Sequence, residues 1–499
     1  MLENNRYGIV GVLLALVSGL AFLYWVGDSK SQGLTDDEVS SQSKTVQIDP
    51  PSSVTRVNND PEARKKKTGK VRITQDTLDR IAGGMDTVVS VPLFDGEVIQ
   101  VQLEERQPLG TMGTLVYGRI QKEADSVAHF SIVKNAMYAE FTLEDGREFK
   151  IESLPYGKHE YQLIEVDTVT VLHHRNPPGS RIPRFINGKR VVACYRVDVP
   201  KSPLPLRKML GQESWEPEMK VIASDTGQVG FSDRIELRQP YEKSDYPPKP
   251  RKDTEPKVKL LGAVKGSVRW VDVGIWYTPQ AAANVGSPQK VAARAGGWIA
   301  GASAANRKSG VKFMFQGAGD FVYQIDKEFD GFAIGDSLGY ISGGASAEVN
   351  AIHDKWRDDN QADLISLMID GRRVDQAAGL GQLLGSLSGN QGTAFNSCLH
   401  NVGSGTFAHE CGHNMGLGHD ATEGTSGIQS NSWGNHFPDP FGSTNGYRTI
   451  MAYSKTGFER RVNMWSSPKA YYKGVPTGTQ AADAVGTLNQ TCIPVSEYR

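Results

Sequence analysis

The sequence predicts an α/β (α+β) domain of mixed sheet and helices over residues 266–499, preceded by a β-rich domain over residues 71–167. Three observations carry this expectation. Residues His409 to Asp420 read H-E-C-G-H-N-M-G-L-G-H-D, a string that needs a helix to bring its first histidines together. Ahead of it, Val271–Thr278 alternates as a strand, Ala281–Arg307 repeats small and apolar residues at three and four, and Asp363–Met368 reads as a buried strand. Between Val71 and Asp167, short alternating stretches are punctuated by Gly and Asp, as in Thr87–Gly96 and Ala136–Gly146. With 499 residues, 38% of them hydrophobic, the chain can build both cores. Its 55 Lys and Arg against 56 Asp and Glu leave no basic field, so no nucleic-acid partner is expected.

In chain order, the first feature is the mostly apolar run Tyr7–Val26, bounded by Arg6 and Asp28 and long enough to span a bilayer. Residues 1–26 therefore read as a signal peptide or a signal anchor. No clean A-x-A pattern ends the run, whereas Gly19 and Ala21 offer small residues for cleavage after a shorter apolar core. Either reading places the remaining chain outside the cytoplasm, secreted or held to the cell envelope, with membrane anchoring through residues 7–26 in the second case. Residues 27–70 are rich in Ser, Asp, Pro and Lys and too poor in large apolar groups to offset ordering entropy, which predicts a disordered linker. The run Arg64-Lys65-Lys66-Lys67 fits a processing site, a contact to anionic lipid or a solvated face. After the β-rich domain, residues 168–265 form a connector dense in proline and charge around Pro240–Pro256, where proline blocks helix and inner-strand pairing. Proteolytic separation of the two domains is expected near it.

The string at 409–420 carries the chemistry. Four residues along an α-helix advance about 40° past a full turn, so His409 and His413 project from one face and can grip one metal ion. Gly416 lets the chain leave the helix, because glycine takes left-handed backbone angles without steric cost, and His419 comes round as third ligand. Three protein ligands leave a fourth position for water and substrate, as in a catalytic Zn2+ site. Glu410, beside the first ligand, is placed as the general base that takes a proton from the attacking water. With 10 His and 54 Gly in 499 residues, the H-E-x-x-H-x-x-G-x-x-H string arises by accident in roughly one in 10⁴ to 10⁵ such chains. Cys411 lies next to Glu410 but projects differently from the histidines, which predicts a buried inert thiol.

Downstream, Thr449-Ile450-Met451-Ala452-Tyr453 follows a stretch rich in Gly, Ser and Asn. The histidine string followed by this Met-turn resembles the metzincin metalloproteases. Asp420, directly after the third histidine, is similar to the reprolysin (adamalysin) branch, and H-E-x-G-H with T-I-M-A-Y looks nearest to bacterial members such as the peptidyl-Asp metalloendopeptidases. The resemblance covers residues 266–499 and implies a metzincin catalytic fold with metalloendopeptidase activity. It also implies that Met451 forms an apolar floor under the metal without ligating it, and that Asp420 hydrogen-bonds near that turn. Tyr453 departs from the reprolysin pattern and is similar to the astacin and serralysin branches, where such a tyrosine lies at the metal. Its phenol then either donates to the developing oxyanion or packs on the cleft wall. The segment Ala378–Ser386 is expected at the sheet edge along the cleft, where such enzymes bind protein or peptide substrates as an added strand.

Four cysteines in 499 residues are too few for a disintegrin-like module. The region tied by a family disulfide implies a bridge from Cys398 to Cys492. Cys194 is open to two readings. As a thiolate it would fill the vacant metal position in a latent precursor, as in some metzincins, but Val191-Val192-Ala193-Cys194-Tyr195-Arg196 lacks the Gly- and Pro-bearing surroundings of the usual switch cysteine. The other reading is a structural cysteine. Leu115-Val116-Tyr117-Gly118 and Glu160-Tyr161 are similar to reprolysin propeptides, which implies a folding aid and inhibitor covering the cleft; the alternative is a β-rich binding module retained in the mature protein. Lys455, Arg460 and Arg461 stand where metzincins wall their specificity pocket, and fit either an acidic side chain near the scissile bond or a solvated surface. The expected function is a zinc-dependent endopeptidase of extracellular proteins, made as a latent precursor. The alternatives are a zinc hydrolase of cell-wall peptides and a catalytically silent adhesion or binding protein.

Overall fold

In the computed structural model the described residues are 45–56, 65–84, 87–166, 185–195, 268–329, 334–370, 377–421, 427–441, 446–455, 458 and 460–499. The apolar run at 7–26 and the proline-dense part of the connector lie outside them. No helix among the described residues is long and apolar enough to cross a membrane.

Strands β1 (Thr45–Gln47), β2 (Ser52–Arg56) and β3 (Lys65–Arg72) come first, followed by helix α1 (Gln75–Gly83), whose first turn is capped by the Thr74 hydroxyl. Strands β4 (Val88–Pro92), β5 (Val98–Leu109), β6 (Gly113–Ile120), β7 (Val127–Val133), β8 (Ala136–Thr142), β9 (Glu148–Ser153) and β10 (Glu160–Val166) then run as the expected antiparallel meander. The ten strands form one sheet in the order β1-β4-β5-β6-β7-β8-β9-β10-β3-β2. The sheet thus starts earlier than expected, inside the segment read as linker. Strand β3 has a distant partner, with Val71 opposite Tyr161 on β10, and Lys67 of the basic run pairs with Asp95 and, at 3.9 Å, with Glu165. One face of the sheet closes on a core of its own that includes Leu78 and Ile81 of α1.

Strands β11 (Phe185–Ile186) and β12 (Lys189–Tyr195) arise within the expected connector. After β13 (Arg269–Tyr277) the predicted long helix is two helices, α2 (Pro279–Val285) and α3 (Pro288–Ser309). Gly286, at φ 109°, ends the first, while Ser287 caps the second with Pro288 in its opening turn. Strand β14 (Phe313–Gln324), helices α4 (Ile334–Gly339) and α5 (Ala347–Asn360), and strands β15 (Leu364–Ile369), β16 (Ala377–Gln382) and β17 (Phe395–Leu399) lead to the metal-string helix α6 (Ser404–Asn414). Short strands β18 (His436–Phe437), β19 (Tyr447–Arg448), β20 (Arg460–Arg461), β21 (Tyr471–Tyr472) and β22 (Val475–Pro476) precede the last helix, α7 (Ala484–Val495).

The second sheet has the order β11-β12-β16-β17-β15-β13-β14. Strands β14, β13, β15 and β17 are parallel, while β16 is antiparallel to β17 and β12 antiparallel to β16. Helix α3 packs on β14 and α6 on one side and on β7 and β8 of the first sheet on another. Its residues Val291–Asn306 are buried without interruption, the pattern of a helix enclosed all round. Its apolar neighbours belong to one continuous core that also holds Leu109, Tyr117, Val133 and Tyr138 of the first sheet.

Candidate metal centre

Helix α6 opens behind Gly403, which brings no side chain to its first turn. The carboxylate of Glu140 on β8 closes that turn instead. Its Oε1 accepts from the Ser404 N–H at 3.0 Å, and its Oε2 accepts from the Ser404 hydroxyl. A negative group suits a helix N-terminus because the orphan N–H groups and the macrodipole both point positive charge there. Lys150 Nζ lies 3.6 Å from the carboxylate, His129 Nε2 3.5 Å and the donating Tyr138 hydroxyl 2.5 Å. Burial pushes the Glu140 carboxyl up, but Lys150, His129 and Ser404 outweigh it and bring it down to about 2. Burial also lowers His129, so its contact with Glu140 is between a neutral imidazole and a carboxylate at neutral pH.

One turn further along α6, His409 Nδ1 lies 2.9 Å from the Ile450 carbonyl and His413 Nδ1 2.7 Å from that of Leu417. A carbonyl only accepts, so both rings carry their proton on Nδ1 and turn Nε2 toward the site. Gly416, at φ +91°, reverses the chain as expected. His419 then brings its Nε2 to 3.1 Å from that of His413. One nitrogen of each ring lies within 4.8 Å of the others, all three residues are buried, and His409 Nε2 has no hydrogen-bond partner. Burial first, and His413 second, hold His409 well below the ordinary imidazole range. Three converging buried imidazoles, shut away from water, fit a soft-to-borderline metal cation.

Glu410 is fully buried, and neither carboxylate oxygen has a hydrogen-bond partner among the described residues. Burial raises it well above the usual carboxylate range. The group lies against strand β16, where a Cβ at Gly379 would fall 2.4 Å from Oε1 and one at Gly381 would fall 3.0 Å from the Glu410 carbonyl oxygen. These two glycines belong to the site and were not singled out by sequence reasoning, although their alternation within a strand hints at a close approach. Asn414 is a second omission. Its Nδ2 lies within 3.0 Å of the carbonyls of Gln382, Thr393 and Phe395, tying the end of α6 to the strands beside it.

The Met-turn runs beside the histidine-bearing helix. A Cβ at Gly412 would come 2.7 Å from Met451 Sδ, so the methionine packs directly beneath the helix. Asp420 Oδ2 accepts from the Tyr453 N–H at 3.4 Å. The Tyr453 ring has its centroid 3.7 Å from that of His419 and lies nearly parallel to His409 at 5.8 Å, which packs it against the histidine triad. Arg461 lies against Gly405 in the first turn of α6, Arg460 is 3.8 Å from Asp439, and Lys455 stands over Phe458.

Along the outer rim of β16 runs β12, with Val192 opposite Gly381 and Cys194 opposite Gly379. The backbone of Cys194 is thus in register with the glycine that faces Glu410. The expected bridge between Cys398 and Cys492 is not formed. Each sulfur turns to an acceptor on its own element, Cys398 to Asn396 Oδ1 at 3.8 Å and Cys492 to the Asn489 carbonyl at 3.4 Å. Cys411 is buried as expected, its thiol raised by that burial, with Asn396 Nδ2 at 3.8 Å.

The family comparison and the three-histidine site support a metalloprotease. Residues 267–466 match the family described as Reprolysin_5, metallo-peptidase family M12, and the three histidines lie within the matched segment, consistent with a metzincin-like protease. Among curated proteins no match is found. A solved structure titled "Structure of a chaperone-substrate complex" is similar at a TM-score of 0.36 and 17% identity, over 46% of this chain and 36% of that one.

Proposed function

We propose that the protein is a zinc-dependent endopeptidase acting on proteins or peptides outside the cytoplasm, made in a latent form with its own strand β12 in the place of substrate. The observation that carries this reading is the convergence of three buried imidazoles beside an unpartnered Glu410, under strand β16. His409, His413 and His419 would hold the Zn2+, which when bound polarises the scissile carbonyl and acidifies water. Substrate pairs with the backbone of β16 as an added strand. Glu410 takes a proton from the water that attacks the carbonyl carbon, then delivers it to the amine as the C–N bond breaks. Tyr453, packed on His419, donates to the oxygen as it gains negative charge. The antiparallel β12 supports latency, since it takes up the backbone groups that substrate needs. The placement outside the cytoplasm rests on the apolar run at 7–26.

Glu410→Gln is expected to keep one equivalent of metal by elemental analysis. After activation by limited proteolysis it should lose turnover of casein by about 10² to 10⁴-fold. Normal hydrolysis by that variant would refute the assignment. Parallel digestion of casein and of cell-wall peptides, each with and without chelator, assigns the substrate class.

A further inference from the structure

We propose that Glu140 is a positioning residue for the metal-bearing helix, supplied from the β-rich domain, and that the ten-stranded sheet consequently stays with the catalytic domain in the competent enzyme. This deepens the peptidase reading and rests on it for its kinetic arm.

The helix that carries His409, Glu410 and His413 has no cap from its own segment. Both oxygens of Glu140 serve its first residue, Ser404, from another sheet 264 positions away in sequence. The carboxylate is 4% exposed and stays charged because Lys150 faces it and the Ser404 and Tyr138 hydroxyls donate to it. A buried charge whose partners are withdrawn is strongly destabilising, so Glu140 and α6 depend on each other. The same seam repeats this arrangement. Arg307 Nη1 of α3 is 2.8 Å from Glu105 on β5, and Arg294 Nη2 is 2.5 Å from Glu152 on β9. Between them three glycines of α3 admit the other sheet at van der Waals limits. A Cβ at Gly296 would meet Ser131 at 2.2 Å, one at Gly297 would meet Tyr138 at 2.0 Å, and one at Gly301 would meet both Ser404 and His129. Separating the halves would strand these charges and open a groove in a core that is continuous across both. Such a seam suits a permanent junction and ill suits a segment that is shed.

The test is hydrogen exchange by mass spectrometry on the full-length protein, reading the amides of Ser404–Phe407. Glu140→Ala is expected to speed their exchange about ten-fold. It should also lower kcat of the activated, fully metal-loaded enzyme with KM unchanged. Adding Gly403→Asp to that background places a carboxylate at the cap position beside Lys150, at a backbone φ of −93° that any residue adopts, and is expected to restore both readouts. Recovery by a local cap is a result that mere packing at the seam would not produce. Should the alanine variant fail to fold, Glu140→Gln with and without Gly403→Asp gives the same comparison, because glutamine keeps only one acceptor oxygen. Unchanged exchange in Glu140→Ala, failure of Gly403→Asp to restore protection, or an active metal-loaded form lacking residues 45–166 would each overturn the proposal. Exchange reports on the helix whether or not peptides are cut, so a failure of the peptidase reading is seen separately in the parent protein.

Discussion

A single methyl group at Gly379 would stand 2.4 Å from the Glu410 carboxylate, closer than any real contact. Gly379→Ala must therefore push the carboxylate aside, and displacement of a catalytic group by about 1 Å costs on the order of 100-fold in rate. We expect that loss in kcat with metal content unchanged, measured on activated protein; full turnover in Gly379→Ala would show that the carboxylate works from elsewhere. The contrast with the histidines shows what a sequence displays at this scale. His409, His413 and His419 are legible because helical spacing and one glycine turn are written in the order of residues itself. Gly379, Gly381 and Asn414 serve the same centre through strands whose pairing is settled only in three dimensions. The expected Cys398–Cys492 bridge failed for a related reason, since membership of one region says nothing about where each sulfur points.

At the scale of elements, β13 and β15 were legible from periodicity within a residue or two, and the presence of α6, though not its start, from the spacing of its histidines. The division of the long helix into α2 and α3 is written in Gly286-Ser287-Pro288, a glycine stop followed by a serine cap and an N-terminal proline. Strand β12 was not legible. Its alternation is brief and surrounded by proline and charge, and its partner β16 lies nearly two hundred residues later. On the proposed reading β12 competes with substrate for one set of backbone groups, at the high effective concentration of a tethered segment. Replacing residues 189–195 with a Gly–Ser sequence should therefore raise the initial rate of peptide hydrolysis about ten-fold without proteolytic activation. A rate equal to that of the parent would remove β12 from the mechanism of latency.

For the whole molecule, a β-rich first half and a mixed second half were both foreseen, but their union was not. The arginines and glycines of α3 look like an ordinary helix of small residues until the first sheet is laid against them. That union has a pH signature. Glu140 is lowered from an ordinary value of 4.5 to about 2, so its contribution is complete above about 4.5 and is lost as pH falls from there toward about 2. His129, held neutral by burial, acts in the same direction from about 6.5 downward, because only the unfolded chain takes up that proton readily. Lys150, Tyr138 and Glu148 complete the titratable groups around this pair. The thermal midpoint of metal-free protein should decline below pH 6.5 and more steeply below 4.5, and Glu140→Gln should lack the steeper part. Parallel curves for the two proteins would contradict the assignment.

Strand β16 has both of its edges occupied, by β17 within the sheet and by β12 along the cleft. A bare strand rim is a template on which other chains stack, and such rims are where soluble proteins begin to clump. The covered form should therefore stay dispersed in concentrated solution, whereas a version with that rim uncovered would be the stickier of the two. Storage and transport favour the former, and the uncovered rim is best reserved for the place where something is waiting to bind it.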